Sequence, residues 1–349
     1  MDIGQLIISQ DSTIKQALKQ LDDTAKQILF VVNQDEQFVG TLSDGDIRRA
    51  LLNNKDLSHK LHDVVFRDAL KIEPNTNQKS ILQEAKKRNI LKIPVLNGAQ
   101  KIIKLYEVEE DSPIKTHANA VVIMAGGLGT RLRPLTNRIP KPLLPVADTP
   151  ILERIIAHCA MHGFNKIYLA VNYKSDMIKD YFGDGKAWGV CIEYLEETER
   201  CGTAGALKLL DSEQVREPFF VMNGDLLTNL NLEQMLGYHL QFDAKATIAV
   251  KDYDYQVPYG VIKTDNHQVV TIEEKPTYRF FVSAGIYVLN HDILKIIPEK
   301  THVDMPELFN EILKEKGMVA SFPIHEYWLD IGQMEDYQRA CESPLSAVE

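Results

Sequence analysis

The chain of 349 residues has four cysteines, two tryptophans, no apolar run of 18 residues and no excess of positive charge. Without such a run there is no candidate membrane-spanning helix. Met1 to Gln10 already holds Asp2, Gln5 and Gln10, so no basic-then-apolar leader is read there, and a cytoplasmic location is expected. Cys159, Cys191, Cys201 and Cys341 lack C-x-x-C spacing and are too few for a disulfide framework, which predicts reduced thiols. The formal net charge is −10, and residues 1–116 hold 17 basic and 17 acidic side chains, so the whole imbalance lies beyond residue 116. An acidic body argues against a nucleic-acid surface. It leaves room for a phosphorylated substrate, because local cations and a divalent metal set the field inside a cleft. With 44% hydrophobic residues the chain can bury real cores, and its length predicts two domains.

Residues 1–109 contain a weak internal repeat. With an offset of 64, Ser12 to Val32 overlays Thr76 to Leu96, each copy reading as an amphipathic helix followed by a strand. Each copy closes on a second strand, Phe38 to Leu42 or Lys101 to Leu105. This pairing resembles a tandem pair of CBS motifs, a regulatory module that often binds adenosine nucleotides. In the first copy Ser43 and Asp46, within Gly40-Thr41-Leu42-Ser43-Asp44-Gly45-Asp46, match the family residues that hold phosphate and ribose. In the second, Tyr106 and Glu109 stand at those places, so the resemblance implies at most one intact nucleotide site. The polar, Pro-containing stretch 109–116 reads as a linker. From Ala120 onward strands and helices alternate: strands at 120–125, 166–172, 190–195, 218–222 and 245–251, helices at 149–162, 175–182, 203–210 and 231–241. A strand-rich part (260–264, 268–273, 282–289), a helix over 304–316 and a strand near 318–324 follow. The alternation predicts an α/β fold with a Rossmann-like, mostly parallel mixed sheet over 117–349. Ahead of it stands a smaller α/β domain over 1–116.

An apolar strand, Val121 to Met124, runs straight into Gly126-Gly127-Leu128-Gly129-Thr130-Arg131. Glycines let backbone N–H groups approach an anion closely, and Arg131, Arg133 and Lys141 add positive charge in the same short segment. The loop is neither G-x-x-x-x-G-K-[ST] nor G-x-G-x-x-G. With Pro134, Thr136, Pro140-Lys141-Pro142-Leu143 and Pro145-Val146, it closely resembles the signature of sugar-1-phosphate nucleotidyltransferases. The resemblance implies Arg131 and Lys141 on the phosphates and a backbone cradle from Ala125, Gly126, Gly127, Gly129 and Thr130.

Such a reaction brings an anionic nucleophile to an anionic triphosphate, so charge neutralisation and in-line positioning supply most of the catalysis. Mg²⁺ held by carboxylates is the expected cofactor. Asp225 ends the run Phe219-Phe220-Val221-Met222-Asn223-Gly224-Asp225, where an open α/β sheet places ligands. The resemblance implies Asp225 and the Asp330 of Trp328-Leu329-Asp330-Ile331-Gly332 as the metal pair. It also implies that Lys275 binds the phosphate of the sugar 1-phosphate, that Glu274 holds sugar hydroxyls, and that Tyr259 and Gly260 sit around the sugar. Gly202-Thr203-Ala204-Gly205-Ala206-Leu207 matches the loop beside the base, placing Gly202 and Thr203 there. Five residues earlier stands Glu197, where uridylyl- and thymidylyltransferases usually carry Gln. Uracil and thymine offer an acceptor and a donor, which an amide matches, whereas guanine offers two neighbouring donors, which a carboxylate matches on both oxygens.

The expectation is a guanylyltransferase acting on GTP and a sugar 1-phosphate, working as a homo-oligomer without nucleic-acid or membrane partners. A CBS pair ahead of the domain is similar to the glucosamine-1-phosphate guanylyltransferases of legionaminic acid synthesis, with mannose and heptose 1-phosphates left open. Two rivals stand beside it: a uridylyl- or thymidylyltransferase of the same fold, and a catalytically silent nucleotide-sensing subunit.

Overall fold

The computed structural model describes residues 3–24, 28–53, 55–73, 81, 84–85, 90, 92–107, 116–215, 217–298 and 302–342. The chain divides into two compact units, Met1–Pro113 and Ile114–Glu349. The expected linker 109–116 lies outside the described residues apart from Thr116.

In the first unit, strand β1 (Ile7–Ser9) leads to helix α1 (Ile14–Thr24), strands β2 (Ile28–Val32) and β3 (Phe38–Ser43), and helix α2 (Asp44–Leu52). Thr13 and Gln16 cap α1 reciprocally: the Thr13 N–H donates to Gln16 Oε1 at 2.8 Å, and the Gln16 N–H to Thr13 Oγ1 at 3.3 Å. Its apolar positions Ile14, Ala17, Leu18 and Leu21 recur at helical spacing and are all buried. The second copy contributes β4 (Lys92–Leu96) and β5 (Ile102–Glu107), while most of its helix lies outside the described residues.

The 64-residue repeat is written in the backbone pairing. Ile8 pairs in parallel with Val31, and Ile72 with Val95. Val32 pairs with Phe38, and Leu96 with Ile102. Both hairpins turn through an Asn whose side-chain oxygen accepts two backbone N–H groups, at 3.0 and 2.9 Å for Asn33 and again for Asn97. Both turns carry a non-glycine residue at φ 61°, Glu36 or Gln100. The hairpins also meet each other, with Gln37 bridging Lys101 and the Phe38 N–H donating to Gln100 O at 2.8 Å. This register corrects the sequence overlay of the closing strands by one residue. Ile28 pairs with Ser43 and Lys92 with Glu107, so Glu107 rather than Tyr106 occupies the place of Ser43. By the same offset Asp46 corresponds to Glu110, which, like Glu109, is outside the described residues.

The second unit is built on a seven-stranded sheet. Its strands, in chain order, are β6 (Val121–Met124), β9 (Lys166–Val171), β10 (Cys191–Glu196), β11 (Phe219–Asn223), β13 (Ala246–Gln256), β16 (Thr277–Leu289) and β17 (Val319–Ile324), with two short strands, β7 (Pro145–Val146) and β8 (Thr149–Pro150), before β9. The spatial order is β10-β9-β6-β11-β16-β13-β17. β16 runs against both its neighbours, and every other pair is parallel. Val121, Val122 and Ile123 are each fully buried, as a parallel strand covered by helices on both faces requires. The covering helices include α3 (Ile151–Met161), α4 (Ser175–Phe182), α6 (Leu232–Gln241) and α7 (Met305–Lys314), with a short α5 (Gly202–Gly205) between α4 and α6.

Two elements differ from expectation. The helix expected over 203–210 is one α-turn, α5, followed by a 3₁₀ segment, Ala206–Leu209. Strands β13 and β16 run past the sheet as a two-stranded ribbon, Asp252 pairing Phe281 out to Gln256 pairing Thr277. They carry a hairpin made of β14 (Val261–Asp265) and β15 (Gln268–Glu273). A last short ladder joins β12 (Leu226–Thr228) to β18 (Trp328–Asp330), ahead of helix α8 (Met334–Glu342). Among the described residues no helix is long and apolar enough to cross a membrane.

Candidate active site

A cavity of about 500 Å³ opens at the carboxyl ends of the parallel strands. Its floor is the glycine loop, with Gly126, Gly127, Gly129, Thr130 and Arg131 all on the wall. Ala125 is not on the wall: it is buried, and its N–H donates to Ala170 O at 2.8 Å. A Cβ on Gly126 would stand 2.8 Å from Glu197 Oε1, so that carboxylate lies directly against the glycine loop.

The two carboxylates expected to hold a metal come together for a topological reason. Asn223 pairs with Met124 across β11 and β6, so the chain after β11 emerges beside the glycine loop, and Asp225 follows at once. In the β12–β18 ladder Leu226 faces Asp330, and the Ile331 N–H donates to Asp225 O at 3.1 Å. Both aspartates line the cavity. Burial, and then the charge of Asp225, hold the Asp330 carboxyl above its ordinary range, against the opposing pull of Lys141 and Arg131. Lys141, itself buried, places its ammonium on Asp225 Oδ2. Two neighbouring carboxylates facing a basic side chain in a half-desolvated cleft are oxygen donors of the kind a hard divalent cation takes.

The far wall is the turn from β10 to α5. Glu197 is half-buried and points its carboxylate into the cavity, Oε1 toward Gly126 and Oε2 accepting the Cys201 N–H at 3.0 Å. Its backbone is fixed as well, with Asn172 Nδ2 donating to Glu197 O at 2.6 Å and the Glu197 N–H to Val171 O at 3.0 Å. Burial pushes its carboxyl above the usual value, opposed by the Cys201 N–H and by His302. Gly202 and Thr203 complete this wall.

The structure gathers Tyr259, Gly260, Glu274 and Lys275 elsewhere, at the base of the β14–β15 hairpin. A Cβ on Gly260 would lie 3.1 Å from Glu274 Oε2, and the Val257 N–H donates to Pro276 O at 3.0 Å beside Lys275. None of the four lines the cavity, and Tyr259 is 74% exposed. In the first unit Ser43 and Asp46 face one another as the capping box of α2, the Asp46 carboxylate accepting the Ser43 N–H at 2.8 Å and hydroxyl at 2.6 Å.

Sequence reasoning missed four polar cavity residues: Arg200, Asn223, His302 and Asp304. Arg200 lies in a run of charges that reads as a solvated loop. Asp304 reads as an ordinary helix cap, and only its distant contacts reveal more.

The family sequence profile described as Nucleotidyl transferase matches residues 120–346, and that of the CBS domain matches residues 4–53. The chain is 36% identical over 228 residues to a mannose-1-phosphate guanyltransferase of Emericella nidulans, covering 62% of this chain and 61% of that protein. It is 32% identical over 247 residues to a UTP–glucose-1-phosphate uridylyltransferase of a Synechocystis species, covering 64% and 63%. The chain thus spans less than two thirds of the length of these curated relatives. Among solved structures, HddC from Yersinia pseudotuberculosis complexed with GMP-PN is 30% identical with a TM-score of 0.52, covering 64% of this chain and 99% of that one. The profile match spans the glycine loop, both aspartates and the base-side turn, and the chain belongs to the nucleotidyl transferase family, with a CBS domain ahead of that unit.

Proposed function

We propose that the chain transfers a guanylyl group from GTP to a sugar 1-phosphate. A phosphate oxygen of the sugar 1-phosphate attacks the α-phosphorus of GTP, the bond from the α-phosphorus to the α,β-bridging oxygen breaks, and pyrophosphate leaves with GDP-sugar as the other product. Arg131 and Lys141 neutralise the phosphates, and the backbone of Gly126, Gly127 and Gly129 cradles them. Asp225 and Asp330 are the residues that would hold Mg²⁺, which would offset charge on the triphosphate. No covalent intermediate is needed, because positioning and electrostatics supply the acceleration.

The observation that carries the choice of base is the Glu197 carboxylate inside the cavity. Each carboxylate oxygen has more than one acceptor direction, so the Cys201 N–H leaves room for two guanine donors. The names of the relatives support both mannose-1-phosphate guanylyl transfer and glucose-1-phosphate uridylyl transfer, and Glu197 favours the first. For the acceptor, the CBS domain ahead of the transferase favours glucosamine 1-phosphate and the guanylyl relatives favour mannose 1-phosphate. Glu274 and Lys275, with Tyr259 and Gly260, would meet it from the hairpin. The enzyme works in the cytoplasm as a homo-oligomer, and Ser43 and Asp46 mark a regulatory site for an adenosine nucleotide.

Pyrophosphate release is measured with GTP, ATP, UTP and dTTP against glucosamine, mannose and heptose 1-phosphates. GTP with one of these acceptors gives the fastest turnover. Faster turnover with UTP or dTTP would replace the reading by its nearest rival, and no turnover with any pair would favour a silent subunit.

A further inference from the structure

We infer that Asp304 is a positioning residue for nucleotide selection, because the segment His302 to Met305 straps the base-side turn into place. About a hundred residues separate the strap from the turn in sequence, yet they meet through a dense set of hydrogen bonds. The Val303 N–H donates to Cys201 O at 2.8 Å, and Val303 O accepts the N–H groups of Ala204 at 2.9 Å and Gly205 at 3.0 Å. Asp304 Oδ1 accepts from both the Thr203 N–H at 3.0 Å and the Thr203 hydroxyl at 3.2 Å. The same hydroxyl oxygen accepts the Met305 N–H at 2.8 Å. Gly202 is fitted to this contact: its φ is +78°, and a Cβ would come within 2.5 Å of Val303 O.

The chain of contacts ends on the base reader. Glu197 Oε2 holds the Cys201 N–H, and the carbonyl of that residue is held by the Val303 N–H. The strap therefore fixes the turn on one side and Glu197 fixes it on the other. His302, at the strap's start, lines the cavity with Glu197 and opposes the effect of burial on the Glu197 carboxyl. A carboxylate such as Asp304 on the wall of a cavity built for a polyanion works against binding unless its oxygens are engaged otherwise, and here Oδ1 is engaged twice by Thr203. Loss of that acceptor leaves the Thr203 N–H and hydroxyl without their partner and loosens the geometry with which Glu197 meets the base. The chemistry at Asp225 and Asp330, on the opposite wall, is left as it was.

This inference rests on the guanylyl reading for the identity of the base, not for the existence of the strap. The experiment compares the full chain with Asp304→Ala and Asp304→Asn. The Asn variant keeps an Oδ1 acceptor for Thr203, and the Ala variant does not. Asp304→Ala is expected to raise KM for GTP about tenfold and to lower the GTP:UTP ratio of kcat/KM by a similar factor. Its kcat and its KM for the sugar 1-phosphate stay within about threefold of wild type, and Asp304→Asn restores both nucleotide parameters to within about threefold. An unchanged KM for GTP in the Ala variant overturns the inference. So does an equal loss in the Asn variant, which would assign the effect to charge, or a parallel loss of kcat and both KM values, which would make Asp304 a general structural residue. If the wild type itself prefers UTP, the guanylyl reading fails on its own, and the selective rise in nucleotide KM still decides the strap.

Discussion

Asp46 and Asp225 both follow the end of a strand, yet the two units use them in opposite ways. Asp46 is enclosed by its own helix: Ser43 donates to one of its oxygens and Arg49 holds the other. Asp44 is likewise paired within α2, to Arg48 one turn on. In the second unit Asp225 meets Lys141 on the cavity wall, with Asp330 beside it on the neighbouring strand. A strand followed by an acidic residue therefore identifies neither a cap nor a ligand. What separates them is whether the local helix supplies the donors, as in a capping box, or whether distant elements supply a second carboxylate and a cation.

The comparison breaks most visibly at the aspartate pair. Asp225→Asn and Asp330→Asn should each lower kcat by about a thousandfold, several kcal/mol of transition-state stabilisation, while the fold survives. Turnover in either variant within about tenfold of wild type at saturating Mg²⁺ would show that these acids do not hold the metal.

The second unit also has polar groups turned away from the reaction. His162 lies among His158, His117 and Glu233 at the end of α3, and burial followed by the two other histidines drives its pKa from 6.5 to about 4. Its value when unfolded is higher, so as the pH falls the unfolded chain takes up the proton first. The stability tied to the neutral ring is present above about pH 6.5 and is lost progressively down to about pH 4, a cost of about 1–3 kcal/mol. Both tryptophans, Trp188 and Trp328, lie in this unit, so urea midpoints read by their fluorescence at pH 7.5 and pH 5 follow it. His162→Asn should flatten the difference between the two midpoints. An undiminished difference would assign the acid sensitivity to other groups.

The smallest effect concerns the first unit. Ser43→Ala removes the cap of α2 and should cost about 1 kcal/mol of that unit's stability. The regulatory proposal adds that the full chain binds one adenosine nucleotide and that Ser43→Ala weakens it. Calorimetry with AMP, ADP and ATP separates the roles, since loss of stability with no nucleotide heat at millimolar concentration would leave Ser43 and Asp46 as a cap alone.

Much of this was legible in the sequence because the signals are local. The glycine loop, the strand before it and the bounds of the helix at 175–182 depend on neighbouring residues alone, and the structure places that helix at Ser175–Phe182. The repeat was visible, but its closing strand slipped by one residue, since Lys101 to Tyr106 carries too little alternation to fix a register. The ribbon beyond Lys251 was missed because Asp252 to Tyr255 alternates acidic and aromatic residues with no buried face to mark it. Asp304 was invisible for a different reason: its partner Thr203 is 101 residues away, and nothing near it in sequence announces the contact.

The central claim is that Glu197, unlike the acids of α2, faces a ligand, and base selection by Glu197→Gln tests it most directly. The ratio of kcat/KM for GTP to that for UTP is measured in wild type and variant under identical Mg²⁺ and sugar 1-phosphate. The account predicts a ratio favouring GTP in the wild type that falls by about 1–3 kcal/mol in the variant, with kcat for GTP changed less than the ratio. A GTP:UTP ratio that the substitution leaves unchanged would contradict it.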